Sequence, residues 1–375
     1  MQTTGRTCRA LWAGYQRLPD GKRIRAPSSS TTLRPLKVSQ SLDAYNFNSP
    51  RHGKLVPLRG PQPNHPAARA ALPMRFMESG AASTPAKPLW EAVLHRYAAA
   101  QQAGAAYQTE TDTQALIDSQ YGLRFILRVA AALRDKPKPP KASGDKKEWR
   151  NPFLPYEPDL WVQHLSETHT LLLNKFNVVA HHLLVVTRDF QSQLDPLNAR
   201  DFAATLQVLQ SMPQGGMAYY NCGSDSGASQ PHKHLQIVPL PFEEGGSADP
   251  PFGQLVEEAW TAAQGSGLQA VAMRQLPFRS YCTLLPGRVT GEQLEKAFQG
   301  LHEAATSGLE ASVSYNVLLT LRFMMVVPRR SECCGPVAVN SLGYAGTLLV
   351  RSKEELEFIH KKGPIAILTE VGQPW

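Results

Sequence analysis

Two histidines stand one residue apart in the stretch Ser226 to Leu240, SGASQPHKHLQIVPL, and a glutamine follows two positions on. A strand turns successive side chains to opposite faces, so His232, His234 and Gln236 share one face while Lys233, Leu235 and Ile237 take the other. Imidazole can ligate zinc, copper or iron. Being largely unprotonated near neutral pH, it can also attack phosphorus and carry the transferred group. A metal site needs a third ligand; Gln236 is a poor one, and the strand offers no carboxylate or cysteine at suitable spacing. The nucleophilic reading assigns His234 to attack on an α-phosphate and His232 to orienting the ring or holding a proton. Gln236 would donate to a phosphoryl oxygen as charge builds there. The loop before them, Ser226, Gly227, Ala228 and Ser229, offers backbone N–H groups and two hydroxyls to phosphate, although the same residues also make an ordinary tight turn. No G-x-x-x-x-G-K-[ST] motif competes for a nucleotide.

Such a stripe needs a rigid platform, and the surrounding apolar patterns outline one. Pro88 suits a first helical turn, and Leu89, Val93 and Tyr97 with Trp90 and Leu94 form a helical stripe that Gly104 can end. Leu123, Phe125, Leu127 and Val129 alternate with Arg124 and Arg128, which predicts a half-buried strand over 121–129. Residues 135–159 are rich in Pro and Lys without apolar periodicity and read as a mobile linker or surface loop. Strands are expected over 171–173 and 178–186, joined through Asn174, Lys175 and Phe176, with His181 and His182 structural at a strand start. A helix over 195–211 buries Phe202, Leu206 and Leu209, Gly215 and Gly216 close it, and a strand follows over 217–220. Connections this short cannot be parallel crossovers, so the platform is an antiparallel sheet with a packed helix.

The second half repeats part of this pattern. LLLNKFNVVAHHLLVVTR (171–188) and SYNVLLTLRFMMVVPR (314–329) are both paired apolar runs with an early Asn, ending Val-Val-x-Arg. A helix over 292–305 precedes the second run, NSLGYAGTLLV (340–350) follows as a loop and strand without H-x-H, and Ser352 with Glu355 reads as the capping box of a final helix. The expected class is α+β, with two related halves held as an intramolecular pair. A catalytic half would span 83–245 and a degenerate half 246–375, behind a leader over 1–82.

Composition limits the function classes. The 375 residues are 42% hydrophobic and 19% charged, as in globular domains, and no apolar run nears the roughly 20 residues that span a bilayer. Five scattered cysteines make neither a disulfide framework nor a zinc site. The formal charge of +8 tempts toward nucleic acid, but residues 1–75 hold 13 Lys/Arg against Asp20 and Asp43, leaving 26 basic and 29 acidic groups in the rest. The basicity belongs to the leader. Its Ser/Thr- and Arg-rich, acid-poor composition is that of a plastid or mitochondrial transit peptide; a plain tail, or a start at Met74 or Met77, gives the same composition, and the chain would then be cytoplasmic.

GASQPHKHLQI, with NKFNVVAHHLLVVTRDF upstream and SYNVLLT, MMVVPR and NSLGYAG downstream, resembles the ATP adenylyltransferase (diadenosine tetraphosphate phosphorylase) family of the histidine-triad/galactose-1-phosphate uridylyltransferase superfamily, over roughly 90–372. The resemblance implies a histidine-triad-like sheet and reversible phosphorolysis of diadenosine tetraphosphate to ATP and ADP through an adenylylated histidine. The motif match makes His234 that nucleophile. It further implies substrate contacts from Lys136, Asn174, Lys175, Asn221, Ser226, Gly227, Ala228, Ser229, Asn316 and Arg329. The implied partners are these nucleotides and phosphate, with no covalent cofactor, any Mg2+ arriving on the polyphosphate, and a monomeric enzyme with no membrane or nucleic-acid partner. Phe278, Arg279 and Ser280 depart from the Phe-x-His the family tends to carry before its Leu-Pro segment, so contacts from there are not carried over.

Three rivals remain at this point. A histidine-triad hydrolase usually has a third histidine where Gln236 stands. A hexose-1-phosphate uridylyltransferase shares the glutamine but commonly shows H-P-H and a zinc-type cysteine/histidine set. A non-catalytic nucleotide- or RNA-binding module would fit the total charge but not its confinement to the leader.

Overall fold

Asn198 begins the helix behind the site: its side chain accepts from the Arg200 and Asp201 N–H groups while Asp201 accepts from the Asn198 N–H, a reciprocal cap. This places the helix start four residues later than the apolar pattern suggests. The computed structural model describes residues 88–130 and 150–375, all within one unit. The leader and Lys136 lie outside the described residues. Along the first half run α1 (Leu89–Gln102), β1 (Tyr107–Gln108), β2 (Thr111–Ile117), β3 (Arg124–Ala130), β4 (Trp161–His164), β5 (His169–Leu173), β6 (Phe176–Asn177), β7 (Leu183–Thr187), α2 (Ala199–Ser211), β8 (Gly216–Cys222) and β9 (His234–Pro239). The second half continues with α3 (Gly253–Ala262), β10 (Val271–Ala272), β11 (Tyr281–Leu284), α4 (Gly291–Thr306), β12 (Ser314–Leu319), β13 (Phe323–Arg329), β14 (Cys333–Cys334), β15 (Val337–Ala338), β16 (Thr347–Val350), α5 (Lys353–Lys362) and α6 (Pro364–Val371).

Nine strands form one sheet in the order β10-β11-β13-β12-β8-β9-β7-β5-β4, antiparallel at every step. The sheet passes without a break from the first half to the second through β8 and β12, where Asn221 lies opposite Asn316. One face is covered by α1, α2 and α4: Leu171, Leu183, Val185, Leu235, Ile237, Val317 and Val326 pack with Val93, Phe202, Leu209, Leu294 and Phe298. On the other, Met217, Val238, Met325 and Val327 share a core with Phe252, which precedes α3, Val256 of α3, Leu368 of α6, and Phe125, Leu127, Leu348 and Val350. The last four belong to a three-stranded sheet β16-β3-β2, in which β16 and β3 run parallel.

Several expectations shift in detail. The strand β2 is missing from the sequence reading because its largely exposed residues TDTQALI show no alternation. The strand expected from Val178 begins at Leu183, since His181 takes a left-handed φ of 56° and turns the chain. The final helix is two: Gly363, at φ 83°, ends α5, and Pro364 opens α6. Ser352 caps α5 by accepting from the Glu355 N–H, but the Glu355 carboxylate accepts from the Arg351 N–H, one residue before the position a capping box requires.

Candidate active site

His234 is the first residue of β9, and its ring is held from one side. The Nδ1 lies 2.8 Å from the His232 carbonyl oxygen. A carbonyl can only accept, so the proton sits on Nδ1 and the lone pair on Nε2, to which no described residue hydrogen-bonds. Burial pushes the imidazole down to about 4, against a smaller opposing effect of the His232 carbonyl, so the ring is neutral at neutral pH. The backbone is fixed as firmly: the His234 N–H donates to Gln193 Oε1 at 2.8 Å, while Gln193 Nε2 donates to the carbonyls of Asn221 at 3.0 Å and His234 at 3.2 Å. A neutral imidazole with one nitrogen saturated and the other open is a positioned nucleophile or base.

His232 plays a different part from the one its spacing suggests. It is wholly buried and absent from the cavity wall. Its Nε2 lies 2.9 Å from the Thr187 carbonyl, and its Nδ1 accepts from Asn151 Nδ2 at 3.0 Å. Phe153 and Phe190 flank the ring at 5.6 and 5.3 Å between centroids. Pinned at both nitrogens, His232 holds the backbone whose carbonyl orients His234.

The side chains of β9 alternate as expected. His234, Gln236 and Val238 line a cavity of about 570 Å³, while Leu235 and Ile237 enter the helix-covered core. Asn174, Lys175, Gly227 and Ser229 also line it; His232, Asn221, Ser226, Ala228, Asn316 and Arg329 do not. Lys175 pairs with Glu157 at 2.7 Å at the exposed rim. Asn221, Asn316 and Arg329 form a buried lattice behind the loop. Asn316 donates to Asn221 Oδ1 at 2.8 Å and to the Ser226 carbonyl at 2.9 Å, and Arg329 donates to Asn316 Oδ1 at 2.6 Å and to the Val339 carbonyl at 3.0 Å. Ser341 completes it through Asn221 Oδ1 at 2.7 Å. Ser226 turns its hydroxyl back to the Gly223 carbonyl at 2.7 Å. Asn221, Ser226, Asn316 and Arg329 thus shape the loop from within and do not line the cavity, although Asn221 Nδ2 is buried without a partner.

Gly227 is required where it stands. Its φ is +81°, and a Cβ there would lie 2.9 Å from the Asn340 Cβ, on the wall where the two halves meet. Gly227→Ala is expected to lose about 1–3 kcal/mol of stability, readable as a lowered urea midpoint, with the Michaelis constant for nucleotide rising as the loop is displaced. An unchanged midpoint would show that the loop adapts.

The sequence reading misses several residues that the structure assembles here. Phe153 packs 5.3 Å from the His234 ring, and with Asn151 and Glu157 it comes from the last ten residues of the segment expected to be a mobile linker. Those residues carry no periodicity because they form no long helix or strand, although Phe153 packs with Leu172, Leu184 and Val186. His182, read as structural, lines the cavity with Tyr219; it sits two positions before Leu184, which pairs with Gln236 across β7 and β9, so the same alternation would have placed it. Its neighbour His181 is structural, packed on Trp90 and Tyr97. Arg128 reaches the cavity from β3, bonding the Phe242 carbonyl through Nη2 and leaving Nε buried without a partner. Among the described residues, no group of three or more His, Cys, Asp or Glu is placed to hold a metal ion, and no helix is long and apolar enough to cross a membrane.

A neutral histidine with an open Nε2, in a cavity lined also by amides and cations, fits a group-transfer enzyme acting on an anionic substrate. Comparison with known proteins narrows it. The sequence profile described as the Ap4A phosphorylase N-terminal domain matches residues 79–258, and that of the ATP adenylyltransferase C-terminal domain matches 274–374. Diadenosine 5',5'''-P1,P4-tetraphosphate phosphorylase 2 of Saccharomyces cerevisiae is 31% identical over 293 residues, covering 70% of this chain and 87% of the yeast protein. Crystal structures of yeast Ap4A phosphorylase Apa2 with AMP and with Ap4A superpose with TM-scores of 0.65 and 0.64, at 28% and 27% identity, each covering 76% of this chain and 97% of the yeast chain. The chain belongs to the Ap4A phosphorylase/ATP adenylyltransferase family.

Proposed function

We propose that this enzyme phosphorolyses diadenosine tetraphosphate to ATP and ADP, reversibly, with His234 as the adenylyl carrier. The observation that carries the reading is the Nδ1 contact to the His232 carbonyl, which leaves Nε2 as the nucleophile. Attack of Nε2 on an α-phosphorus forms a P–N bond, breaks the bond to the bridging oxygen and releases ATP. Inorganic phosphate then attacks the same phosphorus, the P–N bond breaks, and ADP departs. The ring carries positive charge while adenylylated, and Nδ1–H donation to a carbonyl oxygen disperses it. Gln236 accepts from the Tyr219 hydroxyl at 3.0 Å through Oε1, which leaves its amide nitrogen to meet a non-bridging oxygen. Gly227, Ser229 and Lys175 would hold the reacting phosphates, and Arg128 the far end of the chain, since its unpaired buried Nε calls for an anion. Asn174 lines the same wall but has no N–H to spare, its amide protons going to the Phe176 carbonyl and His182 Nδ1 and its backbone N–H to the His182 carbonyl. Lys136 stays in this reading as a phosphate contact on its family resemblance, and any Mg2+ would travel with the polyphosphate.

The two halves read as a pseudo-dimer in one chain, working as a monomer. β8 and β12 lie side by side at the middle of the sheet, Asn221 opposite Asn316, with α2 and α4 packed together on the same face. In this reading the second half has lost the H-x-H pair and kept the lattice that braces the first half's loop.

Product analysis with and without phosphate tests the function. ATP and ADP formed in equal amounts only when phosphate is present support it; ATP with AMP formed at full rate in phosphate-free buffer would make the enzyme a hydrolase. The pH dependence tests the nucleophile. With His234 held near 4, single-turnover adenylyl transfer is expected to stay level from pH 8 to about 5 and fall with a midpoint near 4, whereas a midpoint near 6.5 would contradict the buried neutral ring. A stability control belongs with it. The folded-state values of His182 and His234 are both depressed to about 4 by burial. The unfolded chain therefore takes up their protons first, and this contribution to stability is complete above about 6.5 and lost as pH falls toward 4.

A further inference from the structure

An amide has two ends that look alike and act oppositely: Gln236 can donate to a phosphoryl oxygen only if its nitrogen, not its oxygen, is presented to the ligand. We infer that His182 and Tyr219 are positioning residues that fix this orientation through a hydrogen-bond chain whose direction is set by the Phe176 carbonyl. The inference rests on the reading of His234 as nucleophile and Gln236 as phosphoryl donor.

The chain can be followed atom by atom. Asn174 Nδ2 donates to the Phe176 carbonyl at 2.8 Å. Turning this amide over would set oxygen against oxygen, so its nitrogen is fixed there. The same nitrogen lies 3.1 Å from His182 Nδ1, which must therefore accept. His182 is buried and neutral near pH 7, so its proton is on Nε2, 3.3 Å from the Tyr219 hydroxyl. That hydroxyl, receiving on one side, donates to Gln236 Oε1 at 3.0 Å. His182 also meets the Gln236 side chain directly; having only its Nε2 proton to offer, it too faces the amide oxygen, and the Gln236 nitrogen is left for a ligand.

The backbone explains why these four groups meet. Tyr219 and Gln236 are directly opposed on β8 and β9, and Leu184, two residues after His182, is opposed to Gln236 on the other side. Cross-strand neighbours on one face of a sheet lie within side-chain reach. Asn174 closes the loop between β5 and β7, where its N–H also bonds the His182 carbonyl at 2.8 Å. All four side chains line the cavity. Buried hydroxyls and ring nitrogens ordinarily find partners; what is particular here is that the bonds run in one direction and end at Gln236.

The test is a double-mutant cycle read as the single-turnover rate of adenylyl transfer from diadenosine tetraphosphate to the full-length enzyme. Tyr219→Phe keeps the ring and removes the hydroxyl. It is expected to slow the step about tenfold, a part of what losing an oxyanion donor costs, with the Michaelis constant and thermal midpoint little changed. In the Gln236→Ala background, where no amide remains to be oriented, Tyr219→Phe should slow it no further. Equal slowing in both backgrounds, or none in either, would overturn the inference. His182→Phe taken through the same two backgrounds should behave alike, and it decides the matter if Tyr219→Phe does not fold. The wild-type arm keeps the two claims apart: no adduct on His234 would defeat the nucleophile reading, whereas an adduct with additive variants would defeat the positioning alone.

Discussion

Alanine at position 234 is expected to reduce phosphorolysis by on the order of 10⁶-fold, the scale on which an enzyme loses its covalent nucleophile. Neither of the two neighbouring histidines can take over the bond. His232 is shielded by Phe153 and Phe190 and bound at both nitrogens, and His182 is bound at both of its own. Gln236→Ala should cost less, about 10²–10³-fold, since it withdraws one donor from the developing charge and leaves the P–N chemistry in place. The order of the two effects matters more than either value. A His234→Ala enzyme that keeps more activity than Gln236→Ala would remove the covalent intermediate from the account.

The second large effect is on stability. Asp201, fully buried on α2, is bound on both oxygens: Oδ1 to His169 Nε2 at 2.9 Å, and Oδ2 to Lys233 Nζ at 2.6 Å and the Asn198 N–H at 2.8 Å. Burial opposes its charge, but His169, Lys233 and the Asn198 N–H outweigh that and hold the carboxyl below its usual range. Lys233 stands between the two histidines and points through the sheet to the opposite face, where its remaining bond is to the Pro196 carbonyl at 2.7 Å. Asp201→Ala would strand that ammonium, 1% exposed, without its counter-charge. The expected cost is about 3–5 kcal/mol, read from urea unfolding at neutral pH. Joining it to Lys233→Met should recover much of the loss, because the unpaired charge goes with the lysine. A double variant as unstable as the sum of the singles would show that the pair acts through packing.

The chemistry of this site could be read from the sequence where one strand carries it. H-K-H-L-Q sorts its residues by a period of two, and His234 and Gln236 fall on the cavity side while Leu235 and Ile237 fall in the core. What the pattern could not say is that His232 contributes its carbonyl more than its ring, since backbone groups leave no trace in residue types. Asn221, Asn316 and Arg329 show another limit. Residues spaced along the chain as a substrate site can be buried one layer behind it, and only the pairing of β8 with β12 reveals that they bond to one another. Phe153 and Asn151 were hidden for the opposite reason, as they lie in a Pro- and Lys-rich stretch whose composition speaks of a loop and not of what the loop covers. The antiparallel platform followed from short connections and alternating runs, while the parallel pairing of β16 with β3 joins residues more than 200 positions apart, beyond the reach of local pattern.

The most direct test of the central claim is the covalent intermediate itself. Enzyme mixed with diadenosine tetraphosphate in phosphate-free buffer, quenched without acid and digested for mass spectrometry, is predicted to carry one AMP on the peptide containing His234, as an acid-labile adduct that phosphate converts to ADP. An enzyme that turns over with phosphate yet shows no adduct, or an adduct on another residue, would contradict the account.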